Sequence, residues 1–146
     1  MHMAAKSILE AAHAAWSKGD IEGVLNCYVD DLTYWCNTGG PDSGPLLIEG
    51  KEDFRAFLLR MQGTEGYSVV EYFRFSDGIG RAQINAVIRH KLTGHKLAGS
   101  YRQVVTYRGN RIARLEEYHD AARMAAFWRL IAGQAIDDDP NHEHLA

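Results

Sequence analysis

From Tyr67 to His119 the sequence reads as four strand-like segments with only short turns between them, and that run leaves few folds open. The segments are Tyr67–Phe75, 81–92, 96–108 and 111–119. Ser76-Asp77-Gly78, Thr93-Gly94 and Gly109-Asn110 separate them, and such Gly- and Asn-containing pairs are turn formers. Alternation is cleanest in 82–92, where Ala82, Ile84, Ala86, Ile88 and Leu92 fall on one face. Gln83, Asn85, Arg89 and Lys91 fall on the other, as the period of two in a half-buried strand requires. A meander of this length must bury one face against something.

The helical spacing upstream supplies the partner. Residues 4–18 place Ile8, Leu9, Ala12, Ala15 and Trp16 at helical intervals, and Gly19 is a C-terminal stop. Asp20 is an N-cap for a second helix, Ile21 to Tyr28, and Asp30-Asp31 breaks the pattern. Leu32–Cys36 has the β-branched and aromatic content of a short strand, and the Gly- and Pro-rich stretch Asn37–Gly50 reads as a loop. Helices are expected over 51–61 and about 121–135. The order ααβαββββα is an α+β pattern rather than the strict alternation of a parallel sheet.

The chain has 146 residues, enough for one domain, placed at 1–136, and an acidic, histidine-containing tail at 137–146. A net charge of −3 excludes the basic footprint of a general nucleic-acid binder. Apolar runs stay short of the ~18 residues of a spanning helix, and the start lacks the features of a secretion signal, so the expected location is cytoplasmic. Cys27 and Cys36 have neither C-x-x-C spacing nor a nearby His pair, so free thiols are expected and no metal site. Gly78-Ile79-Gly80 lacks the context of a dinucleotide fingerprint, and there is neither a P-loop nor a Gly-x-Ser-x-Gly elbow. His142 and His144 are read as bystanders in the tail.

Polar residues on apolar faces then carry the most information, because burying one costs several kcal/mol unless it is hydrogen-bonded. Gln103 interrupts Tyr101, Val105 and Tyr107. Glu117 and His119 interrupt Ala113 and Leu115, Glu71 interrupts Val69, Phe73 and Phe75, and His90 sits among the apolar residues of its strand. Glu117 is the leading functional candidate, weighed against a structural ion pair with Arg89 or Arg102. Asp120 is read as the N-cap of the last helix. Trp16, Tyr28 and Trp35 read first as core. Val70, Tyr72, Val87, Val104 and Tyr118 give the opposite sheet face more apolar area than solvent favours, which suggests a homodimer.

The run Ala15-Trp16-Ser17-Lys18-Gly19-Asp20-Ile21-Glu22-Gly23-Val24-Leu25, with Tyr28-Val29-Asp30-Asp31-Leu32-Thr33-Tyr34 after it, resembles the opening of ketosteroid isomerases and SnoaL-like polyketide cyclases. Gly50-Lys51-Glu52-Asp53-Phe54, Gln103–Tyr107 and Arg111–Asp120 extend the resemblance, which belongs to the nuclear transport factor two-like superfamily. Each motif is weak alone, but their order and spacing are specific, and they span nearly the whole chain, the last helix least typically. The resemblance implies a cone-shaped, curved, mainly antiparallel sheet wrapped over N-terminal helices, an apolar pocket and a homodimer. The isomerase's proton-shuttling aspartate falls on Cys36, its oxyanion-hole acid on Gln103 and its first-helix tyrosine on Ala12, so steroid isomerisation is not expected. The cyclase's acid/base aspartate falls on Glu117 and its pocket histidine on Gln103.

This scaffold hosts isomerases, cyclases, dehydratases, hydrolases and binders, so function must be argued from the site. The expectation is cofactor-free acid/base chemistry on an apolar, carbonyl-containing small molecule. Glu117 would be the catalytic group, its pKa raised by desolvation above the usual ~4.3. Gln103 would hold the substrate oxygen, helped by Tyr34 or His90, with Tyr101 and Trp16 also facing the substrate. Cys36 is either a small buried hydrophobe or a pocket thiol. The rival readings are a non-catalytic apolar-ligand binder and a dimerisation module.

Overall fold

The computed structural model describes residues 2–40 and 44–137, so the tail at 138–146, with His142 and His144, lies outside the described residues. Helix α1 spans His2–Ser17 and α2 spans Ile21–Leu25. Gly19 lies in the left-handed region at φ 72°, and its N–H donates to the Trp16 carbonyl at 3.0 Å, which closes α1. The Asp20 carboxylate accepts from the Gly23 N–H at 2.9 Å and opens α2. Next come strands β1 (Tyr28–Cys36) and β2 (Leu46–Glu49), helix α3 (Lys51–Arg60) and a single 3-10 turn (Met61–Gly63). The meander is β3 (Thr64–Ser76), β4 (Ile79–His90), β5 (Lys96–Arg108) and β6 (Arg111–Tyr118), and α4 (Ala121–Asp137) closes the described chain.

One six-stranded sheet runs β2-β1-β6-β5-β4-β3. All pairs are antiparallel except β1 with β6, which is parallel. The expected α+β architecture is thus the observed one. Helices α1 and α3 pack on the inner face, and Leu9, Leu25, Leu32, Ile84, Val105 and Ile112 are wholly buried between the layers. Burying each such side chain contributes about 1.5–3 kcal/mol. Asp120 caps α4, accepting from the Arg123 N–H at 3.1 Å.

Several local expectations change. The second helix stops at Leu25, because the parallel ladder captures the residues after it. Ile112 donates to the Cys27 carbonyl at 2.8 Å, and Tyr28 pairs with Ile112. Asp30 and Asp31 lie inside β1, pointing outward to Lys51 at 3.2 Å and Arg108 at 2.7 Å. The stretch read as loop holds β2, an edge strand too short to show a period, in register with Thr33–Cys36. Trp35 lies on the outer face against Tyr118, their ring centroids 5.2 Å apart, rather than in the core.

The most informative departure is in β3. A bulge between Val70 and Tyr72 leaves Glu71 as the extra residue, so the two halves of the strand have opposite parity. Ser68 and Val70 face inward before it, and Phe73 and Phe75 after it, whereas Val69 and Glu71 are exposed. Val69, Glu71, Phe73 and Phe75 therefore do not share a face, and Val70 leaves the outer set. A one-residue slip turns a strand over. Deleting Glu71 is expected to leave Phe73 and Phe75 facing inward, because Val70 and Tyr72 already pair with the adjacent Ile84 and Gln83, and to be tolerated in urea denaturation. The substitution Glu71→Ala should change stability by no more than about 0.5 kcal/mol.

Candidate active site

Strand register brings the polar interruptions together. Glu117 on β6 is directly beside Cys36 on the parallel neighbour β1 and beside Gln103 on the antiparallel neighbour β5. All three side chains are buried on the inner face. They line a cavity of about 540 Å³ under α1, α3 and α4, together with Tyr34, Tyr101 and Trp16. The rest of the wall is mainly apolar, from Leu9, Phe54, Phe57, Leu58, Leu115 and residues of α4.

Six of the seven residues singled out from the sequence therefore meet at one cavity. His90 does not. It ends β4, pairs in register with Thr64 and hydrogen-bonds Thr93 across the next turn at 2.9 Å, away from the cavity lining. Parity put it on the correct face but says nothing of distance along the strand.

The partner of Glu117 is neither Arg89 nor Arg102. Arg89 pairs with Glu65 at 2.7 Å, and Arg102 is exposed. Instead the His119 Nε2 lies 2.9 Å from the Glu117 Oε2, with both side chains 12% exposed. Tyr34 adds a hydrogen bond to the same carboxylate. His119 lies just past the end of β6, and Asn37 holds it there. The Asn37 side-chain amide donates to the His119 carbonyl and accepts the His119 N–H, each at 2.9 Å, extending the β1–β6 ladder by one rung. The imidazole stacks on Tyr101, with ring centroids 4.2 Å apart at 26°.

This pairing sets the electrostatics of the site. Burial favours protonated Glu117, but the hydrogen bond and charge of His119 and the Tyr34 hydroxyl outweigh it and hold the carboxyl below its ordinary value. The expected upward shift is therefore reversed. Burial likewise opposes charge on His119, yet hydrogen bonds with Cys36 and Glu117, and the Glu117 charge, raise it to about 10. At neutral pH the two form an ion pair, Glu117 ionised and His119 protonated. Burial pushes the Tyr34 and Tyr101 hydroxyls well above their usual range, so both are neutral donors.

A second network crosses from helix to sheet. His13 on α1 is buried, with Nδ1 2.7 Å from the Ser68 Oγ and Nε2 2.8 Å from the Gln103 Oε1. Burial lowers its pKa, so it is neutral: Nε2–H donates to the Gln103 carbonyl and Nδ1 accepts from Ser68. That leaves the amide N–H groups as the polar atoms that Gln103 can offer the cavity. His13 is the functional candidate that strand-centred reading missed, whereas His119 stood out as an interruption of the β6 face without a role being assigned to it. The signal for His13 was present, since Leu9, Ala12, His13 and Trp16 follow the i, i+3, i+4, i+7 stripe, with one polar residue among apolar ones. Among the described residues, no group of three His, Cys, Asp or Glu is placed to hold a metal, and no helix is long and apolar enough to cross a membrane.

A family model described as SnoaL-like domain matches residues 9–136. Among solved structures, a putative isomerase from Bacillus subtilis superposes with a TM-score of 0.77 at 17% identity, covering 87% of this chain and 94% of its own. An LEH-like epoxide hydrolase from M. tuberculosis gives 0.71 at 18% identity, covering 94% and 98%. A putative polyketide cyclase from Pseudomonas putida gives 0.71 at 16%, covering 84% and 96%. At such identities the likeness is one of fold. No curated protein matches the sequence.

The ion pair predicts a pH signature. His119 has its folded pKa raised from 6.5, so its contribution is complete below that pH and is lost as pH rises through about 10. Glu117 is lowered from 4.5 and contributes above that value, losing its effect as pH falls through the folded pKa. Urea-unfolding free energies should therefore fall from pH 7 to 10 in the wild type, and the slope should flatten in His119→Gln. An equal slope in both proteins would show that the pair does not form.

Proposed function

The chain belongs to the SnoaL-like domain family, and on that premise we propose that it is an enzyme that moves a proton on a largely apolar, carbonyl-containing small molecule without a cofactor. The observation that carries this reading is a carboxylate held ionised inside an apolar 540 Å³ cavity, with neutral and cationic donors around it. Its size is typical of a small-molecule site. In the proposed step Glu117 takes a proton from the carbon next to the substrate carbonyl. The enolate oxygen accepts hydrogen bonds from the Gln103 amide, whose orientation His13 fixes. The His119 cation stabilises the negative charge as it moves from Glu117 to substrate. Returning the proton to another carbon gives isomerisation, and attack of the enolate carbon on a second carbonyl gives cyclisation.

Solvent-deuterium exchange into a panel of ketones and β-dicarbonyl compounds tests the reading. Wild type should accelerate exchange at the α-carbon, and Glu117→Gln should lower that rate by about 10²–10⁴-fold. Because Glu117→Gln leaves His119 free to lose its proton, the stability cost should stay near 1–3 kcal/mol, below that of a stranded buried charge. The depressed Glu117 pKa favours a second reading, a non-catalytic binder in which the carboxylate orients a ligand. Binding of panel compounds without exchange in any of them would select it.

We also propose that two copies associate through the outer face of the sheet, where Tyr67, Tyr72, Val87 and Tyr118 are exposed together. The free thiols of Cys27 and Cys36 suit a reducing cytoplasm. Light scattering should give twice the 16.4 kDa chain mass, and Val87→Glu should return it to the monomer.

A further inference from the structure

Trp16 lines the 540 Å³ cavity and also a second cleft of about 380 Å³ beneath the α1–α2 joint. Val24, Leu58 and Met61 are likewise common to both. The indole is seated directly on β3, at a glycine. A Cβ at Gly66 would lie 2.1 Å from the ring Cη2 and 2.5 Å from Cζ3, far inside van der Waals contact. No other residue type permits that approach without displacing the ring. The indole is thus a wall clamped between α1 and β3, with open space on either side.

The two sides differ in chemistry. The cavity behind Trp16 is mainly apolar, its polar lining being the Glu117 and Gln103 networks with Thr38 and, on α4, Arg129. The cleft beyond it is polar, with Lys18, Asp20, Glu65 and Lys91 at its edge. Both acids are already engaged: Asp20 caps α2, and Glu65 pairs with Arg89. Among the described residues no ion pair forms at Lys18, Lys91 or Asp20, so two unpaired lysines outnumber one unpaired carboxylate and the net charge there is positive.

We infer that Trp16, seated on Gly66, sets the length of ligand this site accepts, and that removing the indole joins the two spaces into one channel whose far end favours an anionic tail. This deepens the proposed function, since it rests on the cavity being the ligand site. It concerns binding only and requires no chemistry at Glu117.

The test is calorimetric titration with linear methyl ketones of increasing chain length, and with the same ketones carrying a terminal carboxylate. In the wild type affinity should rise about fourfold per added methylene until the chain meets the indole, then level or fall. In Trp16→Ala the rise should continue past that length. The carboxylated series should gain further in that variant, and Lys18→Glu with Lys91→Glu should remove the extra gain. Trp16→Leu gives the same comparison with an apolar filler kept on the helix, should the alanine variant not fold. Gly66→Ala, which displaces the ring while keeping it, should shift the length limit as well. An identical length profile in wild type and the Trp16 variants overturns the inference, as does a uniform loss at every length, which marks the ring as packing alone. If wild type shows the length limit but no proton exchange, only the catalytic reading falls. Failure of every ketone to bind overturns the ligand-site reading and this inference together.

Discussion

A carboxylate carried into an apolar cavity either finds partners or takes up a proton, and the fate of Glu117 organises much of this molecule. It stays ionised because His119 and Tyr34 approach it together. Neither approach is local. Tyr34 comes from β1, which reaches β6 only through the single parallel pairing in the sheet. His119 lies beyond the last rung of β6 and is held there by the side-chain amide of Asn37, which completes the ladder that the backbone leaves unfinished. The parallel pair β1–β6 is thus both the seam that joins β1 and β2 to the meander and the frame of the charged site.

The same logic applies to Gln103 in neutral form. A buried amide has both an acceptor and donors to satisfy. His13 takes the acceptor and is itself satisfied by Ser68, so a chain of side chains runs from α1 through the cavity wall to β5 and back to β3. That chain fixes how the amide is turned and ties the helix layer to the sheet by direction as well as by apolar area. Ordinary packing of Leu9, Ile84 and Val105 could tolerate a small slide of one layer over the other. Two hydrogen bonds through one imidazole could not.

The walls of the cavity illustrate a trade between closure and reach. Phe54 stacks on Tyr34 with centroids 5.2 Å apart, and Phe57 lies 5.4 Å from the same ring, which closes the cavity near Glu117. At the other end a glycine in β3 lets the indole of Trp16 rest on the backbone itself. Glycine within a strand ordinarily weakens it, so its presence there points to a close approach that matters.

The sequence by itself determined the α+β class, the element types apart from the edge strand β2, and the face on which Gln103 and Glu117 lie, because periods of two and 3.6 are properties of neighbouring residues. The resemblance to the SnoaL-like family was legible for the same reason, being a matter of motif order along the chain. Distance across the sheet was not legible. Parity placed His90 and Glu117 alike on an inner face, yet only Glu117 meets the cavity, because the position of a residue along its strand relative to the helices is set by register. The bulge at Glu71 turned half of β3 over, and no local pattern marks where a strand takes an extra residue. The sign of the Glu117 pKa shift was also a tertiary matter: burial alone raises it, and the histidine that reverses the shift is held in place by an asparagine 82 positions away. Local chemistry decides what a residue can do, and only the folded arrangement of distant strands decides which neighbour it does it with.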